Sequence, residues 1–183
     1  MPLSKQIAIH SRSIILKRHS IILTIFLGFI RLQFQKKYPQ TLYIKIKEKI
    51  PSARFQKNHK LYVIDQFGQI IEGADAAQFS KLKLFVDDDA NLKAENILKT
   101  LALYPKLNKM TSALAYVNHR RWDLYLSNKI HVKMPENGFT TGLKTLQSLD
   151  DIGSLLHRRV KVIDFRIKHK VIIESENNKK FEY

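Results

Sequence analysis

The sequence lacks cysteine altogether, which excludes disulfide bonds, thiol catalysis and cysteine-ligated zinc. Glycine is also scarce, with 6 residues in 183, so little material exists for the glycine-rich loops that cradle phosphate groups. No two of the 7 histidines share a helical i, i+4 spacing beside a carboxylate, which leaves a zinc site unsupported. The sequence therefore predicts no catalytic residue, no cofactor and no small-molecule substrate.

Acidic side chains are in short supply, since 16 Asp and Glu face 32 Lys and Arg and leave a net charge of +16. Residues 1–60 carry 13 of the basic residues and 1 acidic residue. This balance favours a polyanionic partner or a membrane surface. A nucleic-acid-binding domain would place the excess on one folded face and use arginine to contact bases, yet lysine outnumbers arginine 23 to 9. Nucleic-acid binding is therefore kept only as the alternative function.

Long hydrophobic runs are absent apart from Ile21–Ile30. Ten helical residues span about 15 Å, whereas a bilayer core is about 30 Å thick. Widening the run to residues 14–34 reaches a spanning length but includes several basic side chains. Two interpretations of this basic, apolar segment stay open, a weak membrane anchor and a buried amphipathic element.

Periodicity predicts a mixture of strands and helices, and thus an α+β fold. Leu42–Ile50 alternates apolar and charged residues, as a strand with one wet face does, and Lys60–Ile64 predicts a second strand. Ala90–Tyr104 has the helical period, and Asp87–Asp89 are predicted to cap its N-terminus. The last third predicts strands over Ser112–Asn118, Trp122–Leu126, Ile130–Met134, Val160–Ile167 and Val171–Glu174, and a helix over Thr140–Leu149.

The densest local cluster is Arg120-Arg121-Trp122-Asp123. In a nucleic-acid-binding protein the tryptophan would stack on a base and the arginines would hold phosphates. The alternation of Trp122 with Leu124 favours a structural role, in which the indole fills the core beneath a hairpin.

Five motifs, taken in order, resemble the FtsQ/DivIB family of cell division proteins. Lys37–Ala53, with YPQTLYIKIKEKIPSA, and Leu61–Ile70, with LYVIDQFGQI, resemble the second half of its POTRA domain. Arg120–Leu124 (RRWDL), Asn128–Glu136 (NKIHVKMPE) and Ile163–Arg166 (IDFR) resemble its β domain. The pieces agree in order and spacing from about residue 36 to residue 174.

The sequence departs from the family pattern in three places. Lys129 stands where the family usually has a hairpin glycine, and Asp87 stands where it often has glycine. Residues 1–35 match no part of the family pattern. Because the family carries a strand, two helices and a membrane-spanning helix upstream of Tyr38, the expectation is a chain shortened at its N-terminus.

The resemblance implies a division of the chain into four parts. Residues 1–35 are a possible membrane anchor, residues 36–80 a partial POTRA domain, residues 81–174 an FtsQ-like β domain and residues 175–183 a flexible tail. It also implies a non-catalytic scaffold at the division septum, on the periplasmic face of the bacterial inner membrane. The implied partners are FtsB and FtsL, with further division proteins bound through the POTRA part.

The resemblance further implies that FtsB–FtsL adds a strand to the sheet edge that follows Ile163–Arg166. By position, the predicted partner-binding residues are Ile167, Lys168, His169, Lys170, Val171, Ile172 and Ile173. The alternative is an ordinary terminal strand whose lysines protect its edge from aggregation.

Overall fold

A computed structural model describes residues 4–10, 29–37, 41–175, 177 and 179–182. It has the predicted α+β composition. The strands are β1 (Ser4–His10), β2 (Phe29–Lys37), β3 (Thr41–Glu48), β4 (Pro51–Lys57), β5 (Lys60–Asp65), β6 (Leu84–Val86), β7 (Thr111–Val117), β8 (Arg121–Leu126), β9 (His131–Lys133), β10 (Val160–Asp164), β11 (Ile172–Ser175) and β12 (Lys180–Glu182). The helices are α1 (Ala90–Ala102), α2 (Pro105–Met110) and α3 (Phe139–Gly153), with 3-10 turns at Ala76–Phe79 and Leu155–His157.

The strands form two sheets. Three strands pair antiparallel in the order β1-β3-β2, and nine pair in the order β12-β11-β10-β9-β8-β7-β6-β4-β5. Three neighbouring pairs in the larger sheet are parallel, namely β4 with β6, β6 with β7, and β9 with β10. The other neighbours are antiparallel. The C-terminal strands therefore lie at one edge of this sheet and β5 lies at the other.

The larger sheet continues across the domain boundary predicted near residue 80. β4 and β5 precede that boundary, yet β4 pairs with β6 through Phe55 opposite Phe85. β4 itself is absent from the predicted strands, although Ala53 and Phe55 alternate into the core. The division of the chain at this point stays a prediction.

The core lies between one face of the nine-stranded sheet and the helices. The predicted buried face of α1 is confirmed, since Ala94, Ile97 and Leu101 pack in the same cluster as Leu143 of α3. The predicted helix is two residues too long, because α1 ends at Ala102 and a proline then starts α2. A proline is well tolerated at a first helical position, where its missing N–H has no partner to lose.

The predicted capping of α1 by an aspartate side chain is wrong. Asp89 occupies the N-cap position with a φ of 61°, and its side chain makes no hydrogen bond to the helix. A side-chain cap needs an extended backbone at this position, so the left-handed conformation removes it. The carboxylates of Asp88 and Asp89 instead lie 3.7 Å from Lys57 Nζ and from His119 Nδ1.

The cluster at residues 120–123 has the structural role that its alternation predicts. The Trp122 indole is buried, stacks on Tyr116 at 4.7 Å between ring centroids and meets Phe85 edge-on at 5.7 Å. It is not available to stack on a base. Asp123 is also buried, and its carboxylate lies 3.2 Å from Arg121 Nε and 3.1 Å from His131 Nε2.

The two residues that replace family glycines, Lys129 and Asp87, both have a left-handed backbone. Lys129 has a φ of 69° in the loop between β8 and β9, which the Leu126 N–H closes by donating to the Ile130 carbonyl at 2.9 Å. Asp87 has a φ of 79° ahead of α1. The backbone therefore keeps a conformation that suits glycine, at the steric cost that a Cβ brings there.

Candidate partner-binding edge

The seven predicted partner-binding residues fall into two groups. Ile167–Lys170 form an exposed turn in which the Lys170 N–H donates to the Ile167 carbonyl at 3.2 Å, and His169 has a φ of 64°. Val171 is half-buried, and Ile172 and Ile173 open β11. The turn and the strand are thus consecutive parts of the C-terminal end of the sheet.

The turn begins earlier than the sequence predicts, because β10 ends at Asp164 rather than Ile167. The Asp164 carboxylate accepts a hydrogen bond from the Arg166 backbone N–H at 3.0 Å, which turns the chain out of the strand. The predicted strand over Val160–Ile167 is therefore three residues too long, and Ile167 is exposed whereas Ile163 is buried.

Asp164 and Arg166 also form a two-pronged ion pair. Arg166 Nε lies 2.9 Å from one carboxylate oxygen, and a terminal guanidinium nitrogen lies 2.6 Å from the other. Burial alone would raise the pKa of Asp164, but the hydrogen bonds and charge of Arg166 outweigh it and lower that pKa. The family motif at residues 163–166 thus fixes where the candidate site starts.

The edge of β11 is already occupied within the chain. β11 pairs antiparallel with β10 on one side and with β12 on the other. On the β12 side, Ile172, Ile173 and Glu174 lie opposite Glu182, Phe181 and Lys180. The sequence predicts a flexible tail over residues 175–183, whereas residues 180–182 form this strand and give it backbone partners.

The backbone of β11 directs alternate residues to its two neighbours. The Ser175 N–H donates to the Lys179 carbonyl at 2.9 Å, on the side of β12. Because N–H and C=O directions alternate along a strand, Ile173 directs its groups to the same side as Ser175. The groups of Ile173 and Ser175 are those through which β11 can pair with a strand on this side. Val171 lies just before the strand, which begins at Ile172.

Side chains hold β12 loosely. Phe181, which is opposite Ile173, is 49% exposed. It borders a cavity of about 240 Å³ that Leu155 and Arg158 also line. Lys170 Nζ lies 2.5 Å from a Glu182 carboxylate oxygen, but each side chain is 56% exposed. Among the described side chains, β12 thus contributes one half-exposed apolar ring and one exposed ion pair beside its backbone pairing with β11.

A second cavity, of about 490 Å³, separates the turn from the start of α3. Its floor includes Gly142, where a Cβ would come within 2.6 Å of Met134 Sδ. The structure brings five of the seven predicted residues to its wall. They are Ile167, Lys168, His169, Lys170 and Val171.

Basic side chains surround this end of the sheet. Arg158 and Arg159 are exposed just before β10, Lys161 is exposed within it, and Lys168 and Lys170 are exposed on the turn. Two ion pairs are described at this end, Arg166 with Asp164 and Lys170 with Glu182. The surface around β11 and β12 is therefore suited to an acidic segment.

Sequence reasoning missed Phe181 and Glu182. The only signal was a single apolar residue between charged ones, and three residues are too few to establish a period of two. The sequence cannot reveal that this short stretch finds a partner in β11, because that depends on where the chain turns after Ser175.

The predicted membrane anchor lies mostly outside the described residues. Of residues 14–34, the structure describes only residues 29–34, which belong to β2. Across the described part of the chain, no helix combines the length and the apolarity needed to cross a bilayer.

Comparison with known proteins decides the family. The sequence model described as "Cell division protein FtsQ/DivIB, C-terminal" matches residues 53–166. This chain belongs to the FtsQ/DivIB family. The matched region begins inside β4 and ends at Arg166, so the family match covers most of the nine-stranded sheet and stops where the exposed turn begins.

Curated FtsQ proteins are similar over about three quarters of the chain. The cell division protein FtsQ of Rickettsia prowazekii is 36% identical over 140 residues, which cover 76% of this chain and 52% of that protein. The FtsQ of Bradyrhizobium diazoefficiens is 31% identical over 139 residues, covering 76% of this chain and 41% of that protein. The chain thus spans about half the length of the curated relatives it matches.

A solved FtsQ/DivIB structure is also similar. It is the major extracytoplasmic domain of the trans isomer of the bacterial cell division protein DivIB from Geobacillus stearothermophilus. The TM-score is 0.39 and the sequence identity is 14%, with 59% of this chain and 96% of that chain covered.

Proposed function

We propose that this chain is a non-catalytic scaffold of bacterial cell division that binds the FtsB–FtsL pair by strand addition at the C-terminal end of its nine-stranded sheet. Its place would be the periplasmic face of the inner membrane at the division septum. Further division proteins would bind through residues 36–80. Membership of a family of cell division proteins supports the division role.

The single observation that carries the binding mode is the short strand pair at the sheet edge. β11 has four residues and β12 has three, so this edge ends in strands that present backbone groups with few side-chain anchors. Strand addition uses such backbone groups for affinity and side-chain pockets for selectivity. Of the predicted residues, Val171 precedes β11, and Ile172 and Ile173 are its first two residues.

The proposal predicts that Val171→Pro abolishes retention of the FtsB–FtsL periplasmic segment by this chain at about 150 mM salt, near physiological ionic strength. An added strand that extends the pairing two residues beyond Ile173 needs the Val171 N–H, which proline removes, and the proline ring obstructs its approach. Co-purification of the full chain with the tagged segment measures the effect.

Val171→Ala is the matched control, because it shortens the same half-buried side chain and keeps the N–H. We expect the alanine variant to retain the segment. Circular dichroism and thermal unfolding establish that the proline variant is folded. Full retention by a folded Val171→Pro chain would contradict strand addition at this position.

A further inference from the structure

β12 lies where an added partner strand would lie, and this has a consequence for binding. A sheet edge can pair with one strand at a time, so β12 and an incoming strand compete for the outward groups of Ile173 and Ser175. We propose that β12 is a built-in competitor for the partner edge, which a partner strand of acidic and apolar residues displaces. This inference rests on the proposed function.

The geometry favours an occupant that is present but easily released. Within the described part of the tail, three residues of β12 pair with β11. Its ion pair between Lys170 and Glu182 is more than half exposed on both sides, and exposed ion pairs contribute little. Phe181 keeps about half of its surface in solvent. A longer partner strand would gain more pairing than β12 loses.

The connection makes β12 an effective competitor in spite of these weak contacts. Four residues, 176–179, join β11 to β12. A short tether holds a segment near its site at a high effective concentration, commonly in the millimolar range. A partner must therefore overcome a local competitor, and its apparent affinity equals its intrinsic affinity multiplied by the fraction of time for which the edge is free.

β12 also indicates what the displacing strand should look like. Phe181 lies opposite Ile173 beside the cavity that Leu155 lines, so the partner should carry a large apolar residue there. Glu182 meets Lys170, so the adjacent partner residue should be acidic. The exposed Arg158 and Arg159 extend the same preference along the edge.

The test uses the full chain carrying Phe181→Ala and Glu182→Gln together, which removes the Phe181 ring and the charge that pairs with Lys170. The matched control is Phe67→Ala with Glu72→Gln. Phe67 is 48% exposed, against 49% for Phe181, and Glu72 is an exposed acid. Both control positions follow β5, at the opposite edge of the sheet, and the two double variants have the same composition and charge.

The first readout needs no partner. Amide hydrogen exchange at Ile173 and Ser175 should be at least several-fold faster in the β12 variant than in the unaltered chain or the control. The second readout is fluorescence anisotropy with a labelled seven-residue peptide that alternates glutamate with phenylalanine and valine. The β12 variant should bind this peptide about tenfold more tightly than the unaltered chain. That factor is expected if the edge of β11 is free in about one molecule in ten of the unaltered chain and in all molecules of the variant.

Unchanged exchange at Ile173 would overturn the inference. So would equal or weaker peptide binding by the β12 variant, since weaker binding would mean that β12 itself receives the partner. Equal affinity for a peptide with lysine in place of glutamate would overturn the acidic assignment. Failure of the proposed function gives a different result. In that case the unaltered chain, the β12 variant and the control all fail to retain the FtsB–FtsL segment, while amide exchange at Ile173 is still faster in the β12 variant.

Discussion

Replacing Gly68 by alanine is expected to lower the free energy of unfolding by about 3 kcal/mol or more, combining a left-handed backbone penalty with a steric clash. Gly68 has a φ of +78°, and a Cβ built there would lie 1.9 Å from the backbone oxygen of Asn91. A backbone atom of α1 cannot move aside as a side chain can. The alanine must therefore displace either the helix or the turn.

The surroundings of Gly68 leave no easy route for that displacement. The Asn91 side-chain amide donates to the Gly68 carbonyl at 2.9 Å. Asp65 fixes the same turn, since its buried carboxylate accepts from the Phe67 and Gln69 N–H groups at 2.9 and 3.0 Å. The family motif at residues 61–70 thus attaches the β5 edge to α1.

Gly153→Ala is the matched control for this prediction. Gly153 lies at the end of α3 without a left-handed φ, and a Cβ there would meet only the end of the Arg158 side chain at 3.5 Å. Alanine favours a helix over glycine by about 1 kcal/mol, so this variant should be neutral or slightly stabilised. Urea unfolding of both variants makes the comparison. Equal stability of the two would contradict the close packing of the turn against α1.

Replacing Asp150 by alanine is expected to cost about 3 kcal/mol of unfolding free energy, because it removes an ion pair and leaves a buried N–H without its acceptor. The Asp150 side chain is buried near the end of α3. Its carboxylate contacts Lys106 Nζ of α2 and accepts from the Leu156 N–H at 2.9 Å. One side chain thus joins two helices and the following 3-10 turn.

The same carboxylate makes stability depend on pH in a defined direction. Burial alone would raise the pKa of Asp150, but the hydrogen bonds from Lys106 and Leu156 and the Lys106 charge outweigh it and lower the pKa. A lowered folded-state pKa contributes stability above the unfolded value of about 3.9 and loses it as the pH falls through the folded value. The contribution of Asp150 should therefore be complete at neutral pH and decline below about pH 4.

Asp150→Asn separates charge from hydrogen bonding, since the amide keeps an acceptor for Leu156. We expect it to be less destabilising than alanine at neutral pH and to show a shallower loss of stability on acidification. Asp151→Asn, at the exposed neighbouring residue, is the control and should leave the acid dependence unchanged. Urea unfolding at neutral and acidic pH measures both effects. The same acid dependence in Asp150→Asn and the unaltered chain would contradict this assignment.

The sequence predicts those elements whose period is long enough to read. Leu124 and Trp122 alternate into the core as predicted, and the helical spacing of Ala94, Ile97 and Leu101 identifies the buried face of α1. The family resemblance, carried by motifs between residues 36 and 174, is confirmed by the match over residues 53–166.

Other features depend on contacts that a sequence does not display. The position of Asp89 predicts a cap, but its left-handed backbone turns the side chain elsewhere. β12 is too short to have a period, and only its pairing with β11 makes it a strand. The extent of β10 depends on a hydrogen bond from Arg166 to Asp164 that stops the strand early. In each case a tertiary or turn contact outweighs the local pattern.

Strand addition at β11 is the central claim, and cross-strand nuclear Overhauser effects test it most directly. The experiment binds the unlabelled FtsB–FtsL periplasmic segment to the full isotope-labelled chain and records filtered contacts between the two backbones. We predict contacts from the partner backbone to residues 171–175, with those from β12 to β11 lost on binding. A bound partner whose backbone contacts lie at β5, or on the helices, would contradict the account.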